Sequence, residues 1–343
     1  MWPLQPTASE AKVTGEIEKK KGKMSIPPTI KKYLFPIIST VLVRPVYAMS
    51  NGLSRIRFKS IRESILFDSI TSNLQTPLIY TKIGPEHFVI DTRDQVISRG
   101  IFATGAWEFD ACISTLNLLK RHKVYDGDPT LLIDVGANIG PICILAVARG
   151  YFERAIAIEP HPPNCRLLRA NIALNGLTDT IAVCESACGM FDNERLELAL
   201  SEDNFGDHRI HSSNVPTFSD ENKRRKIQIE SNTLDTLCPF QPGKNTLIWM
   251  DTQGYEGYVL AGARSWLDAR TPLVVEFWPH GMERVNSFEL MKTALTNYTG
   301  FYDLENPSRF RPIGDLDDLY VEQHKAGELG KIGFTSILVV GNK

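Results

Sequence analysis

The chain has 343 residues, 43% of them hydrophobic and 23% charged, with a formal net charge of −2. That is the composition of a soluble globular protein, one large domain with extra segments or two domains. The charge is uneven: Lys19 to Arg62 holds eleven Lys/Arg and no acid, so the body beyond it is acidic. Such a body argues against gripping nucleic acid over a broad face and fits a small-molecule or glycan partner.

Residues 1–30 read as a flexible leader, Pro-rich at its ends with a Lys cluster at 19–23. They lack the basic-then-apolar order of a secretory signal. Residues 31–77 read as a basic helical N-terminal segment. Its apolar run Tyr33–Met49 is short and holds Pro36, Arg44 and Pro45, below the ~20 unbroken apolar residues of a bilayer span. Two readings of the segment stay open: an appendage packed on the core, and a weak contact with an anionic membrane surface.

Residues 78–343 read as the main domain. Leu78–Ile83 and His87–Ile90 have strand character, and Asp110–His122 places Ile113, Leu116 and Leu119 along one helical side. Short apolar runs then alternate with helices. The strands are Leu131–Val135, Ala155–Ile158, Ile181–Cys184, Leu247–Met250 and Leu273–Phe277, and the helices Pro141–Arg149, Cys165–Asn175 and Tyr255–Leu267. Thr335–Val340 supplies a late strand. This alternation predicts an α/β fold with a doubly wound, mostly parallel sheet covered on both faces.

The stretch of about 189–245 is too long for a simple connection. Leu196–Leu200 and Ile227–Glu230 alternate as strands, so an inserted hairpin is expected, its loop Asn204–Lys226 lying over the active site. His208 and His211 within that loop are expected to be solvated. The six cysteines, Cys112, Cys143, Cys165, Cys184, Cys188 and Cys238, form no C-x-x-C pair and no zinc-type cluster. They read as buried free thiols in a reducing, cytoplasmic setting, although Cys184 and Cys188 are close enough in sequence to pair.

Leu131-Leu-Ile-Asp-Val-Gly-Ala-Asn-Ile-Gly140 has the form of a strand, a Gly-containing turn and a helix start. Gly136 would let the backbone approach a ligand, Gly140 would let the helix pack on the strand, and Pro141 suits a first helical turn. A dinucleotide site would show G-x-G-x-x-G aimed at a pyrophosphate. Here Asn138 replaces the middle Gly, and Asp134 sits two residues before Gly136. A carboxylate there repels phosphate and suits an ammonium group. Glu159, ending the second strand, can accept both hydroxyls of a ribose.

These residues, with Glu159-Pro160, Asn171–Asn175, Thr233-Leu-Asp235, Asp251-Thr-Gln-Gly-Tyr-Glu-Gly257 and Leu260-Ala-Gly-Ala263, resemble the FkbM-type methyltransferases, as does Gly105-Ala-Trp-Glu108. The similarity runs over roughly residues 86–280. It implies a class I methyltransferase-like (Rossmann-like) fold, S-adenosyl-L-methionine as cofactor, and O-methylation of sugars or hydroxylated natural products. S-adenosylmethionine carries an ammonium and a sulfonium and no phosphate, as Asp134 requires. The expected cofactor residues are Glu108, Asp134, Gly136, Asn138, Gly140, Glu159 and Ala187. The family pattern Lys-Ile-Asp-Val-Glu-Gly departs here to Trp249-Met-Asp-Thr-Gln-Gly254, which puts a fixed charge network in doubt.

Ligands of open α/β sheets bind at the carboxyl ends of the strands. Asp251 ends strand four and is the candidate base or acceptor-orienting group, with a helix N-cap as its structural role. Glu256 in the next helical turn and His280 after strand five are further candidates, beside Glu276. Phe277 and Trp278 form either an acceptor wall or core. No metal is expected, because only Asp251 stands cleanly in place. The competing readings are an NAD(P)-dependent enzyme on the same topology and a non-catalytic binding protein. A nucleic-acid methyltransferase is disfavoured by the acidic body.

Overall fold

The computed structural model describes residues 59–72, 77–105, 107–125, 127–212 and 223–341. The expected leader and most of the segment 31–77 lie outside the described residues. What is described of that segment is a helix, Lys59–Thr71. Phe67 docks it, fully buried with its ring 5.5 Å from Phe102, and Asp68 pairs with Arg99 at 2.7 Å.

β1 (Leu78–Ile83) and β2 (Glu86–Asp91) form an antiparallel hairpin. β3 (Leu131–Val135), β4 (Arg154–Ile158) and β5 (Ile181–Cys184) follow, joined by helices Cys143–Ala148 and Pro162–Leu174. β6 (Ala187–Gly189), β7 (Glu194–Ala199), β8 (Arg209–Ile210) and β9 (Lys226–Thr233) build a small second sheet in the order β6-β9-β7-β8. β10 (Thr246–Met250), β11 (Leu273–Phe277), β12 (Gly300–Asp303), β13 (Phe310–Pro312) and β14 (Thr335–Val340) complete the chain.

The central sheet runs β13-β12-β14-β11-β10-β3-β4-β5. β11, β10, β3, β4 and β5 are parallel, and β14 is antiparallel to β11. This is the doubly wound class I methyltransferase-like arrangement that the alternation and the resemblance led us to expect. The chain starts mid-sheet at β3, builds outward through β4 and β5, then crosses back to β10 on the other side. Connections leaving β3 and β10 therefore diverge, and their carboxyl ends open a cleft.

Side-chain alternation accounts for the burial of both faces. Leu131, Ile133, Ile248, Met250, Leu273 and Val275 join one core cluster. Leu132, Leu247, Trp249, Val274 and Leu338 join the other. Trp249, where the family pattern has Lys, is thus an ordinary core residue.

The inserted hairpin is present as β7 against β9, with Leu196 opposite Ile229 and Leu198 opposite Ile227. One expected element divides. The helix read over Tyr255–Leu267 is two, Glu256–Ala261 and Arg264–Asp268. Between them, a Cβ on Gly262 would stand 2.1 Å from the Gly189 carbonyl oxygen of β6, so the helix yields to the passing strand. The sequence pattern singles out no helix at Ile97–Thr104, Pro279–Val285, Phe288–Ala294 or Leu316–Glu328, all four of which are helical. All six cysteines are free, and all but the half-buried Cys184 are buried. Among the described residues, no helix is long and apolar enough to cross a membrane.

Two asparagines attach the β1–β2 hairpin to the domain. Asn171 accepts from the Val89 N–H (2.7 Å) and donates to the Val89 carbonyl (3.2 Å) and the Ile139 carbonyl (3.0 Å). Asn175 accepts from the His87 N–H (2.9 Å) and donates to the His87 carbonyl (2.7 Å). Residues i and i+2 of a strand present their polar groups to one edge about 6.6 Å apart, and i and i+4 of a helix rise about 6 Å. The two amides thus satisfy an edge that no strand covers among the described residues. Asn171→Leu leaves these buried groups unpaired and should cost about 3 kcal/mol in urea denaturation. An unchanged midpoint and slope would show that the hairpin docks by other means.

Candidate active site

At the carboxyl ends of β3, β4 and β10 lies a cleft enclosing about 640 Å³, part of it open to solvent. Its walls include Gly136, Asn138, Glu159, Ala187, Asp251 and Gln253, together with Phe205 and His208 of the insertion. Among its described lining residues there is no Lys and no Arg.

The glycine-containing turn is shaped by the protein around it. Gly136 has φ 88°, and a Cβ on it would stand 2.0 Å from the Asp251 carbonyl oxygen. The glycine that reads in the sequence as room for a ligand therefore admits the end of β10. On Gly140 a Cβ would meet Ile144 at 2.6 Å and Leu168 at 2.8 Å, so its smallness serves the packing of two helices and not the expected packing of helix on strand. Asn138 takes φ 51°, a left-handed conformation Asn tolerates. Its side chain caps its own turn through the Ile139 N–H (2.8 Å) and reaches the Phe205 carbonyl of the insertion (2.9 Å).

Glu159 is buried against the same turn. It accepts from the Asn138 N–H (2.9 Å) and the His161 N–H (2.8 Å), and burial pushes its carboxyl up to about 7. Asp134 accepts from the Cys143 N–H at 3.2 Å, at the start of a helix, and burial raises it to about 7 as well. It does not line the cleft. Glu108 is exposed at the residue before helix Phe109–Arg121, with φ 54°, and its side chain does not cap the helix.

Asp251, Glu256 and Glu276 come together in three dimensions. The Gln253 amide donates to Asp251 Oδ1 (2.7 Å) and Glu276 Oε2 (3.2 Å). Burial raises both carboxyls, and with the neighbouring charge of Asp251 it holds Glu276 well above its usual range. Gln253, the departure from a family Glu, is thus the donor that lets two acids stand side by side. Glu256 is fully buried. It accepts from the Thr252 N–H (2.8 Å), the Thr252 hydroxyl (3.0 Å) and the Gly254 N–H (3.2 Å), and burial raises it to about 7. Its first role is to hold the turn that presents Asp251.

One carboxylate oxygen from each of these three acids lies within 4.8 Å of the other two, a spacing at which a divalent cation could be held. The sequence pattern places only Asp251 at this position; the fold brings Glu256 and Glu276 beside it. The Gln253 amide already spans Asp251 and Glu276.

His280 is not brought to this cleft. It is exposed on helix Pro279–Val285 and lines a separate cavity with Trp278, Gln323 and His324. Phe277 is fully buried core. The expectation that His208 is solvated is corrected: it lines the cleft, and burial, with the charge of His161, lowers it to about 3. His211 is half-buried, its ring 2.7 Å from the Lys226 ammonium. An aromatic and a His within a polar insertion were the only signals for Phe205 and His208, and spacing alone does not say which wall they reach.

Residues 134–301 match the Methyltransferase FkbM domain. Over this span the chain is similar to the FkbM methyltransferases. No curated protein sequence matches. Solved structures similar to the chain include a tRNA methyltransferase of M. jannaschii, 11% identical over 79% of this chain and 59% of that one, TM-score 0.33. An RNA methyltransferase from Salinibacter ruber in complex with S-adenosyl-L-homocysteine is 14% identical over 48% and 73%, TM-score 0.24. The precorrin 8w decarboxylase of Methanobacterium thermoautotrophicum is 11% identical over 68% and 89%, TM-score 0.35. Likenesses this loose say nothing about substrate.

The raised acids fix the sign of a pH dependence. Asp134, Glu159 and Glu256 bind protons more tightly in the native state, at about 7, than unfolded, at about 4. Their stabilising contribution is complete below that lower value and is lost as pH rises through about 7. The ligand-free protein should melt at a lower temperature at pH 8 than at pH 6.5, and Glu256→Gln should flatten that slope. A melting temperature that rises over this interval would contradict the assignment.

Proposed function

We propose that the protein is an S-adenosyl-L-methionine-dependent methyltransferase that methylates a hydroxyl of a sugar, glycan or natural-product small molecule. The observation that carries this reading is the electrostatic character of the cleft. It offers Glu159 and Asp251 and, among its described lining, no Lys or Arg. Dinucleotides bring phosphates that such walls repel, whereas a cationic nucleoside cofactor is attracted. The residues therefore fit S-adenosylmethionine, which when bound supplies a methyl group activated on a sulfonium.

The chain's own residues divide the remaining work. Glu159, held by two backbone N–H groups, is placed to accept ribose hydroxyls at the end of β4. Asp251 orients the acceptor hydroxyl and takes its proton, its Oδ1 held by Gln253 and its charge kept by the proton on Glu276. Glu256 holds the turn. Cofactor and acceptor are positioned in a cleft partly walled from water by the insertion, and positioning supplies much of the rate. The acidic cleft also speaks for a neutral or cationic acceptor and against a polyanionic one such as nucleic acid.

S-adenosylhomocysteine should bind in calorimetry, and NAD should not. Glu159→Ala should weaken that binding by about 1–3 kcal/mol, the worth of charge-assisted hydrogen bonds. Unchanged affinity would remove Glu159 from the site.

Asp251→Asn preserves size and an acceptor atom but removes the base. Cofactor affinity should persist while turnover on a hydroxyl acceptor falls roughly 10²–10⁴-fold. Full turnover would assign catalysis to positioning alone.

A further inference from the structure

The insertion reaches the cleft beside the end of β4 and is fastened there. The Phe205 N–H donates to Asp94 (3.3 Å), and its carbonyl accepts from Asn138 (2.9 Å). The Gln95 N–H donates to the Asp203 carbonyl (2.7 Å). Arg224 pairs with Asp207 and also donates to the Asp207 carbonyl (2.5 Å). His208 is therefore set by its neighbours. Its ring lies edge-on to His161 at 4.3 Å and 5.5 Å from the Phe205 ring, and it lines the cleft together with Glu159 and Pro160.

The two ring nitrogens are in different situations. Nδ1 accepts from the Ser201 N–H at 3.1 Å, which places the ring proton on Nε2. Nε2 is buried and has no hydrogen-bond partner among the described residues. A buried N–H without an acceptor is rare in a folded protein and calls for one. Protonation of the ring is suppressed by burial and by His161, so His208 is a neutral donor that adds no positive charge beside a cationic cofactor. The nucleoside offers acceptors of matching kind, in the ring nitrogens of adenine and the oxygens of ribose.

We propose that His208 donates its Nε2–H to an acceptor atom on the nucleoside part of the cofactor, so that the insertion takes part in cofactor recognition. This rests on the S-adenosylmethionine reading above. The test is calorimetry of S-adenosylhomocysteine with the full chain and two variants that separate the nitrogens. His208→Asn keeps an acceptor at the Nδ1 position for Ser201 but has no group at the Nε2 position. His208→Gln places an amide N–H at the Nε2 position and loses the Nδ1 acceptor.

Asn should weaken binding about 3–10-fold, the worth of one neutral hydrogen bond, while Gln stays within about 2-fold of the unmodified chain. The reverse ranking would mean that His208 acts only through Ser201, and equal affinities would mean that Nε2–H serves no ligand; either overturns the proposal. 5′-Methylthioadenosine, which keeps the nucleoside and lacks the amino-acid part, should show the same loss. A loss confined to S-adenosylhomocysteine would move the contact to the amino-acid end and overturn it as well. Failure of the unmodified chain to bind S-adenosylhomocysteine would instead defeat the cofactor reading, and the proposal with it.

Discussion

The turn after β3 and the turn after β10 touch backbone to backbone at Gly136 and Asp251. A single methyl group on Gly136 would stand 2.0 Å from the Asp251 carbonyl oxygen, and the Asp251 N–H donates to the Val135 carbonyl at 3.0 Å. The two central strands can approach this closely only where one carries no side chain and takes a positive φ. From that contact follow the place of the cleft, the distance between Glu159 and Asp251, and the crowding of acids on the β10 side. Gly254, at φ 94° with the Gly281 backbone 2.3 Å from its imagined Cβ, repeats the device one turn on.

Crowding the acids has a chemical consequence. Carboxylates placed together out of water cannot all ionise, and the protons they retain become internal donors. Glu276 keeps its proton beside Asp251, and the Gln253 amide donates to both. A Glu at position 253 would bring a further negative charge and no donor. The substitution away from the family pattern is therefore compatible with an ordered acidic site built on hydrogen bonds in place of alternating charges.

The insertion ties the two halves of the site together. Asn138 of the glycine-containing turn holds Phe205, and Arg284 donates to the Ile210 carbonyl (2.6 Å) and the Gln253 carbonyl (3.1 Å). Through Phe205 the insertion touches the turn that follows β3, and through Ile210 the turn that follows β10. A polar connection that would otherwise be a loop is in this way a wall, and the side chains it aims inward share the polarity of the cleft.

The sequence by itself determined the layers and the location of the site. Alternating apolar runs and helices demand a parallel sheet buried on both faces, and a Gly-containing turn after the first central strand places the ligand end. Glu159 and Asp251 could be named because a strand's last residue is set by the strand. Tertiary structure decided which groups meet across the chain. The partnership of Gln253 with Glu276, the burial of Glu256, the strand-like use of Asn171 and Asn175, and the facing of His208 toward His161 all join residues whose separation in sequence carries no period. His280 shows the converse, since a residue three places beyond a strand can turn into a helix and away from the cleft. Local periodicity is a property of one segment, whereas a hydrogen bond between segments depends on how two of them pack, which the pattern within either one does not specify.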